Sequence, residues 1–115
     1  MRMAELSKET QENLIQLQNL QRQLQMVSGQ RQRFDIDVVQ TDNALAELEK
    51  SQGKVYKAVG TLLIEAKNAE LKKELNERRK DVLARSETMK KQEDKLKIKA
   101  EELQKSVEKA LKSAQ

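Results

Sequence analysis

The chain has 115 residues, of which 37% are hydrophobic, 37% charged and 2% aromatic, with a net charge of +4. That is too little apolar material for a thick globular core, so order requires a narrow seam of the coiled-coil kind. A random polar tract is the alternative, but such a tract would not keep a heptad. With no cysteine and no histidine, disulfides, thiol nucleophiles, imidazole bases and the usual zinc sites are excluded.

No run of about 18 apolar residues crosses a bilayer, and the opening Met1-Arg2-Met3-Ala4-Glu5-Leu6 lacks the apolar stretch of a signal peptide. A cytoplasmic protein is expected. Residues 1–53 hold 6 Lys/Arg and 8 Asp/Glu, a balance of −2, and residues 54–115 hold 17 and 11, a balance of +6. Two arms of opposite sign attract weakly if they lie side by side.

The first arm is predicted as a helix over about residues 8–51. Ser7 is its N-cap, with Glu9 in the first turn where a negative charge suits the helix dipole. Two columns repeat every seven residues: Thr10, Leu17, Leu24, Arg31, Val38, Leu45, and Asn13, Leu20, Val27, Phe34, Thr41, Leu48. Standing three apart, they form a coiled-coil seam. Asp35, Asp37 and Asp42 sit inside this heptad without the glycine turn of a calcium loop, so they read as solvated carboxylates on a helix face, not as a metal site.

Ser51, Gln52 and Gly53 break the arm, and Gly53 suits the left-handed conformation common past a helix end. Residues 54–66 then form a β-hairpin, with strands at residues 55–59 and 61–65 and Gly60 in the turn. A lone two-stranded hairpin is marginal in water and leaves backbone edges unpaired. Val55, Tyr56, Val59, Leu62, Leu63 and Ile64 are too many apolar side chains to leave wet. The hairpin is therefore expected to pair with strands of other subunits, the competing arrangement being a hairpin folded onto its own helices.

Asn68 is the expected N-cap of a second helix over about residues 69–112. Its column Leu75, Val82, Met89, Leu96, Leu103, Ala110 is apolar throughout. The companion column, Lys72, Arg79, Ser86, Glu93, Ala100, Val107, is polar until its end, with Lys72 and Arg79 expected to snorkel. Two arms of equal length joined by a compact connection predict an antiparallel coiled coil, with facing residue numbers adding to about 120, as in Leu45 with Leu75. Near the chain ends Leu14, Ile15, Leu17 and Leu20, with Leu103, Val107 and Leu111, exceed what the seam buries. They are candidate contacts for something apolar and nonspecific.

Several motifs fail. Gly53-Lys54 lacks the upstream glycine of a phosphate-binding loop, so no nucleotide cofactor is implied. Glu77-Arg78-Arg79-Lys80-Asp81 is a basic patch bracketed by acids and reads as a solvated helix face. Two aromatics provide no base-stacking platform, and neither arm has the form of a membrane-surface helix.

The order helix, central hairpin, helix, together with the Gln-Leu-Gln repeats of the first arm and Val55-Tyr56-Lys57-Ala58-Val59-Gly60-Thr61-Leu62-Leu63-Ile64, resembles the beta-type subunit of prefoldin, most similar to the archaeal form. One hairpin, not two, suggests beta-type over alpha-type. The resemblance implies a non-enzymatic, all-α dominated chain whose hairpin oligomerises into a β-barrel body. It further implies a hexamer of two alpha-type and four beta-type subunits. It implies an ATP-independent holdase whose arm tips bind unfolded client proteins and deliver them to a group II chaperonin, with no cofactor, nucleic acid or membrane involved. By position, Val55, Tyr56, Val59, Gly60, Leu62, Leu63 and Ile64 become assembly residues, and Leu14, Ile15, Leu17, Leu20, Leu103, Val107 and Leu111 client-contact candidates. A structural coiled-coil adaptor and a basic nucleic-acid-binding coiled coil are the competing readings.

Overall fold

The computed structural model describes residues 6–113; residues 1–5, which include most of the opening segment considered above for a signal peptide, and residues 114–115 lie outside the described residues. Four elements follow in order: α1 (Lys8–Lys50), β1 (Val55–Val59), β2 (Leu62–Ala66) and α2 (Asn68–Ser113). They fall into two compact units, Met1–Gln30 with Thr88–Gln115, and Arg31–Glu87. Each helix contributes to both.

α1 starts where the sequence places its cap. The Thr10 amide donates to Ser7 Oγ at 3.1 Å, and the Gln11 amide donates to the Ser7 carbonyl at 3.0 Å. One of the orphan donors of the first turn is thus satisfied by the capping hydroxyl. With no proline in the chain, nothing interrupts the helix before Lys50.

Every residue of the four heptad columns is buried or half-buried, the polar ones included. Leu17, Leu48, Val82, Ala100 and Val107 form the buried apolar part, and Thr10, Thr41, Ser86 and Glu93 are as deep. Among the described residues no side chain is fully enclosed, as a two-helix seam dictates: each side chain there meets one facing helix and is flanked by solvent. The buried polar atoms are nonetheless satisfied. Thr41 Oγ1 donates to the Asp37 carbonyl at 2.8 Å, Ser86 Oγ donates to Asp35 Oδ1 at 2.6 Å, and Lys97 reaches Glu93 at 3.6 Å.

In the unit Arg31–Glu87 the helices run antiparallel and are joined by a ladder of polar rungs. Asp35 accepts from Ser86, Asp42 pairs with Arg79, and Glu49 pairs with Lys72 at 3.2 Å. Acceptors and donors both recur every seven residues, and each rung lies within one residue of the expected sum of 120. Between rungs Arg78 holds Asp37 through both Nε and Nη2, at 3.2 and 2.7 Å. One expectation is corrected by this ladder: the aspartates are acceptors to the facing helix, not merely solvated, because their side chains flank the seam. Lys72 and Arg79 snorkel as expected, with half-buried stems and charged ends on the exposed Glu49 and Asp42.

The unit Met1–Gln30 with Thr88–Gln115 is antiparallel too: Gln23, Met26 and Val27 share a groove with Leu96 and Lys99, and Gln16 and Leu20 share one with Lys99 and Leu103.

The connection departs from expectation in three details. β2 begins at Leu62, so Thr61 belongs to the turn, and Val55 pairs with Ala66 at the open end. Gly60 has φ +61° and no other described residue has positive φ. A two-residue loop with positive φ at its first position alone is a type II′ turn, whose twist matches that of paired strands. Gly53 is accordingly not left-handed; α1 ends instead on the Ser51 amide donating to Glu47 at 3.0 Å.

The third difference concerns Asn68. The Lys67 carbonyl accepts the first α2 bond, from Leu71 at 2.9 Å, so Lys67 occupies the cap position and Asn68 the first turn. The Asn68 amide donates instead to the Leu48 carbonyl at 3.0 Å. It thereby satisfies an orphan acceptor at the end of α1 and ties the two helices together beside the hairpin.

Candidate assembly and binding surfaces

The hairpin is one two-stranded antiparallel sheet. Directly opposed residues share a face, so Val55, Lys57 and Val59 stand with Ala66, Ile64 and Leu62 on one side, and Tyr56 and Ala58 with Glu65 and Leu63 on the other. The first face overhangs α2: Lys57 pairs with Glu74, and Val59, Ile64 and Leu71 help line a groove of about 580 Å³ there.

All seven expected assembly residues lie in this element, and six of them are exposed. Val55 is half-buried, while Leu63 is 74% exposed, Leu62 65%, and Tyr56, Val59, Gly60 and Ile64 are also open. The competing arrangement, a hairpin laid onto its own helices, would have covered these side chains. Among the described residues each strand also keeps one backbone edge without a ladder partner, a template for further pairing. Apolar side chains and free edges coincide on one small element. Strand addition satisfies both together.

The terminal-end candidates separate. Leu17 and Val107 are buried in the seam, Leu14, Leu20, Leu103 and Leu111 are half-buried, and Ile15 projects into solvent at 55% exposure. Exposed apolar residues also stand where no heptad column points: Met26, Ile36 and Val39 on α1 and Ile98 on α2. Sequence reasoning did not single these out. Their only signal is that they are large aliphatic residues lying off the columns.

Electrostatics is concentrated at Asp37. The hydrogen bonds from Arg78 hold its carboxyl below the usual carboxylate range, aided by the guanidinium charge and Thr41 and opposed by partial burial. Arg78 is correspondingly raised, first by its hydrogen bond to Asp37. The basic patch at residues 77–81 is thus engaged: Arg78 and Arg79 face α1 acids. Among the described residues no cluster of three metal-ligating side chains occurs, and no helix is long and apolar enough to cross a membrane.

A family model described as prefoldin subunit matches residues 11–114. The chain belongs to the prefoldin family. It is 38% identical over 111 residues to the prefoldin subunit beta of Archaeoglobus fulgidus, covering 95% of this chain and 96% of that one. To the prefoldin subunit beta of Thermococcus onnurineus it is 35% identical, with 95% and 96% covered. Its fold superposes on the crystal structure of the prefoldin beta subunit from Thermococcus strain KS-1 with a TM-score of 0.83 at 32% identity, over 92% of this chain and 95% of that one. The beta2 subunit of the same strain shares the fold, with a TM-score of 0.72 at 22% identity over 77% and 97%.

Prefoldin membership supports a chaperone-type subunit. Prefoldin beta subunits belong to complexes with other subunits. The two-helix architecture with one short hairpin is that of the beta subunit fold.

Proposed function

We propose that this chain is the beta-type subunit of an ATP-independent holdase, in which hairpins from two alpha-type and four beta-type subunits close into a β-barrel body. The arms then hold unfolded or nascent polypeptides and pass them to a group II chaperonin. One observation carries the assembly half: a prefoldin chain whose hairpin exposes Leu62, Leu63 and Ile64 beside unpaired strand edges. Burying a large aliphatic side chain contributes about 1.5–3 kcal/mol, so several of them supply a substantial interface. The client half is supported by the terminal apolar residues, of which Ile15 is the most accessible. Many weak apolar contacts, individually modest, hold a client through multivalency.

Arg78 and Arg79 of the basic patch already pair with Asp37 and Asp42, so the competing nucleic-acid reading rests on the net positive charge of residues 54–115 alone. The test mixes the chain with an alpha-type partner, reads native mass, and follows light scattering from a diluted, denatured client. Assembly to a hexamer with suppressed scattering is expected. The triple variant Leu14→Ser, Ile15→Ser, Leu111→Ser keeps the hexamer and loses most suppression. Full suppression by that variant sinks the client assignment, and a monomeric mixture sinks the assembly. A hexamer that never suppresses scattering is the behaviour of a structural adaptor.

A further inference from the structure

Within the unit Met1–Gln30 with Thr88–Gln115, a groove of about 370 Å³ runs beside the helix seam. Met26, Val27 and Leu96 supply its apolar lining, and Gln23, Lys95 and Lys99 border it, with Gln30 and Gln92 completing the wall. A second depression shares Lys99 and extends the furrow to Leu20 and Leu103, and there Glu102 joins its lining, so the carboxylate-free stretch is the first groove alone.

Charge distinguishes this groove. It contains two ammonium groups one helical turn apart and no carboxylate. From residue 13 to residue 34 the α1 sequence has no acid at all, and its charged residues there are three arginines. Among the described residues neither Lys95 nor Lys99 has an ion-pair partner, whereas Lys97, on another face, reaches Glu93. Met26 is 66% exposed, and a thioether on an unbranched chain adapts to varied apolar shapes. The amides of Gln23, Gln30 and Gln92 both donate and accept, which suits a peptide backbone.

We infer that this groove is a docking site for polypeptide segments that combine an apolar anchor with neighbouring carboxylates. The anchor side chain lies against Met26, Val27 and Leu96, and the carboxylates meet Lys95 and Lys99. This goes beyond the proposed function, because it assigns a charge preference to a site distinct from Ile15 and the chain ends, and it stands whether or not the protein suppresses aggregation.

The test measures fluorescence anisotropy of short dye-labelled peptides with the full chain. One peptide carries leucines flanked by aspartates, a second the same leucines flanked by lysines, and a third aspartates alone. Two exposed ion pairs predict that the lysine version binds about tenfold more weakly than the aspartate version. The double variant Lys95→Gln, Lys99→Gln removes that difference, while the control Lys90→Gln, Lys91→Gln, with the same change in net charge on the same helix, retains it. Met26→Ser weakens both leucine peptides. Circular dichroism confirms that each variant keeps its helices. Equal binding of the two leucine peptides, an equal loss in the Lys90 and Lys91 control, or equally strong binding of the aspartate-only peptide would each overturn the assignment; the last would mark a general polyanion surface, whether for acidic peptide or nucleic acid.

Discussion

Leu63→Ala separates what holds the chain together from what joins it to its neighbours. Leu63 is 74% exposed in the single chain, so its truncation removes almost no intramolecular burial. If the hairpin enters a shared β-body, about three quarters of a side-chain burial of ~1.5–3 kcal/mol becomes available there, or about 1–2 kcal/mol per copy. That corresponds to roughly 5- to 30-fold in each contact's association constant. Leu48→Ala is the opposite case. Leu48 is buried against its own seam at 7% exposure, and such truncations cost about 2–5 kcal/mol of chain stability. Paired measurements read the contrast: sedimentation or native mass across a dilution series for association, and thermal melting by circular dichroism for the isolated chain. Leu63→Ala should shift the dilution midpoint and leave the melt in place, and Leu48→Ala should lower the melt. The reasoning fails if Leu63→Ala melts the isolated chain as Leu48→Ala does, or if the assembly tolerates it without any shift.

Asp37 titrates below the ordinary carboxylate range because of Arg78, so its contribution is fully present above the unfolded value of about 3.9 and is lost as pH falls through the lowered folded value. Melting curves of the parent chain and Asp37→Asn should therefore differ at neutral pH and converge in acid; a gap that widens in acid refutes the assignment. Gly60→Ala meets no steric neighbour, since a Cβ there finds nothing within 4 Å. Its cost is backbone strain alone, about 1–3 kcal/mol, and D-alanine introduced by semisynthesis should restore the assembly that L-alanine weakens. Asn68→Asp tests the observed donor role: a carboxylate serves as an N-cap but cannot donate to the Leu48 carbonyl. It should lose about 1 kcal/mol in thermal stability, as Asn68→Ala does; parent-like stability would restore the capping role.

The heptad columns were legible because the seam has a fixed period, and all of their members, from Thr10 to Ala110, are at least half-buried. The hairpin was legible from its composition, since a short aliphatic run with a central glycine fits strands better than helix. What the columns did not disclose was how Ser86 and Glu93 could be among the deepest residues. Polarity argues against burial only while the partner is unknown, and Asp35 sits 51 residues away in sequence from Ser86. Arg78 and Asp37 were read as surface charge for the same reason. Asn68 was assigned by its residue type, correctly as a helix-start residue, but its side chain serves the other helix. At the binding surfaces, Leu17 and Val107 were indistinguishable from Ile15 by hydrophobicity, and only the three-dimensional seam separates them. Met26 lies on no column, and its exposure has no sequence signature beyond that absence.

The polar ladder has a property that none of its rungs shows alone. Because Asp35, Asp42 and Glu49 repeat with the same spacing as Ser86, Arg79 and Lys72, sliding one helix by a heptad would bring Arg79 against Asp35 and Lys72 against Asp42. The ladder is a rack with interchangeable teeth: it supplies grip without specifying position. Position comes from the closed hairpin, whose two-residue turn has no slack, and from the Asn68–Leu48 bond at its base. The same clasp that offers edges to neighbours thus acts as the ruler for the helices beside it, and a few residues inserted at Thr61 or Gln52 would free the rack to settle one tooth over.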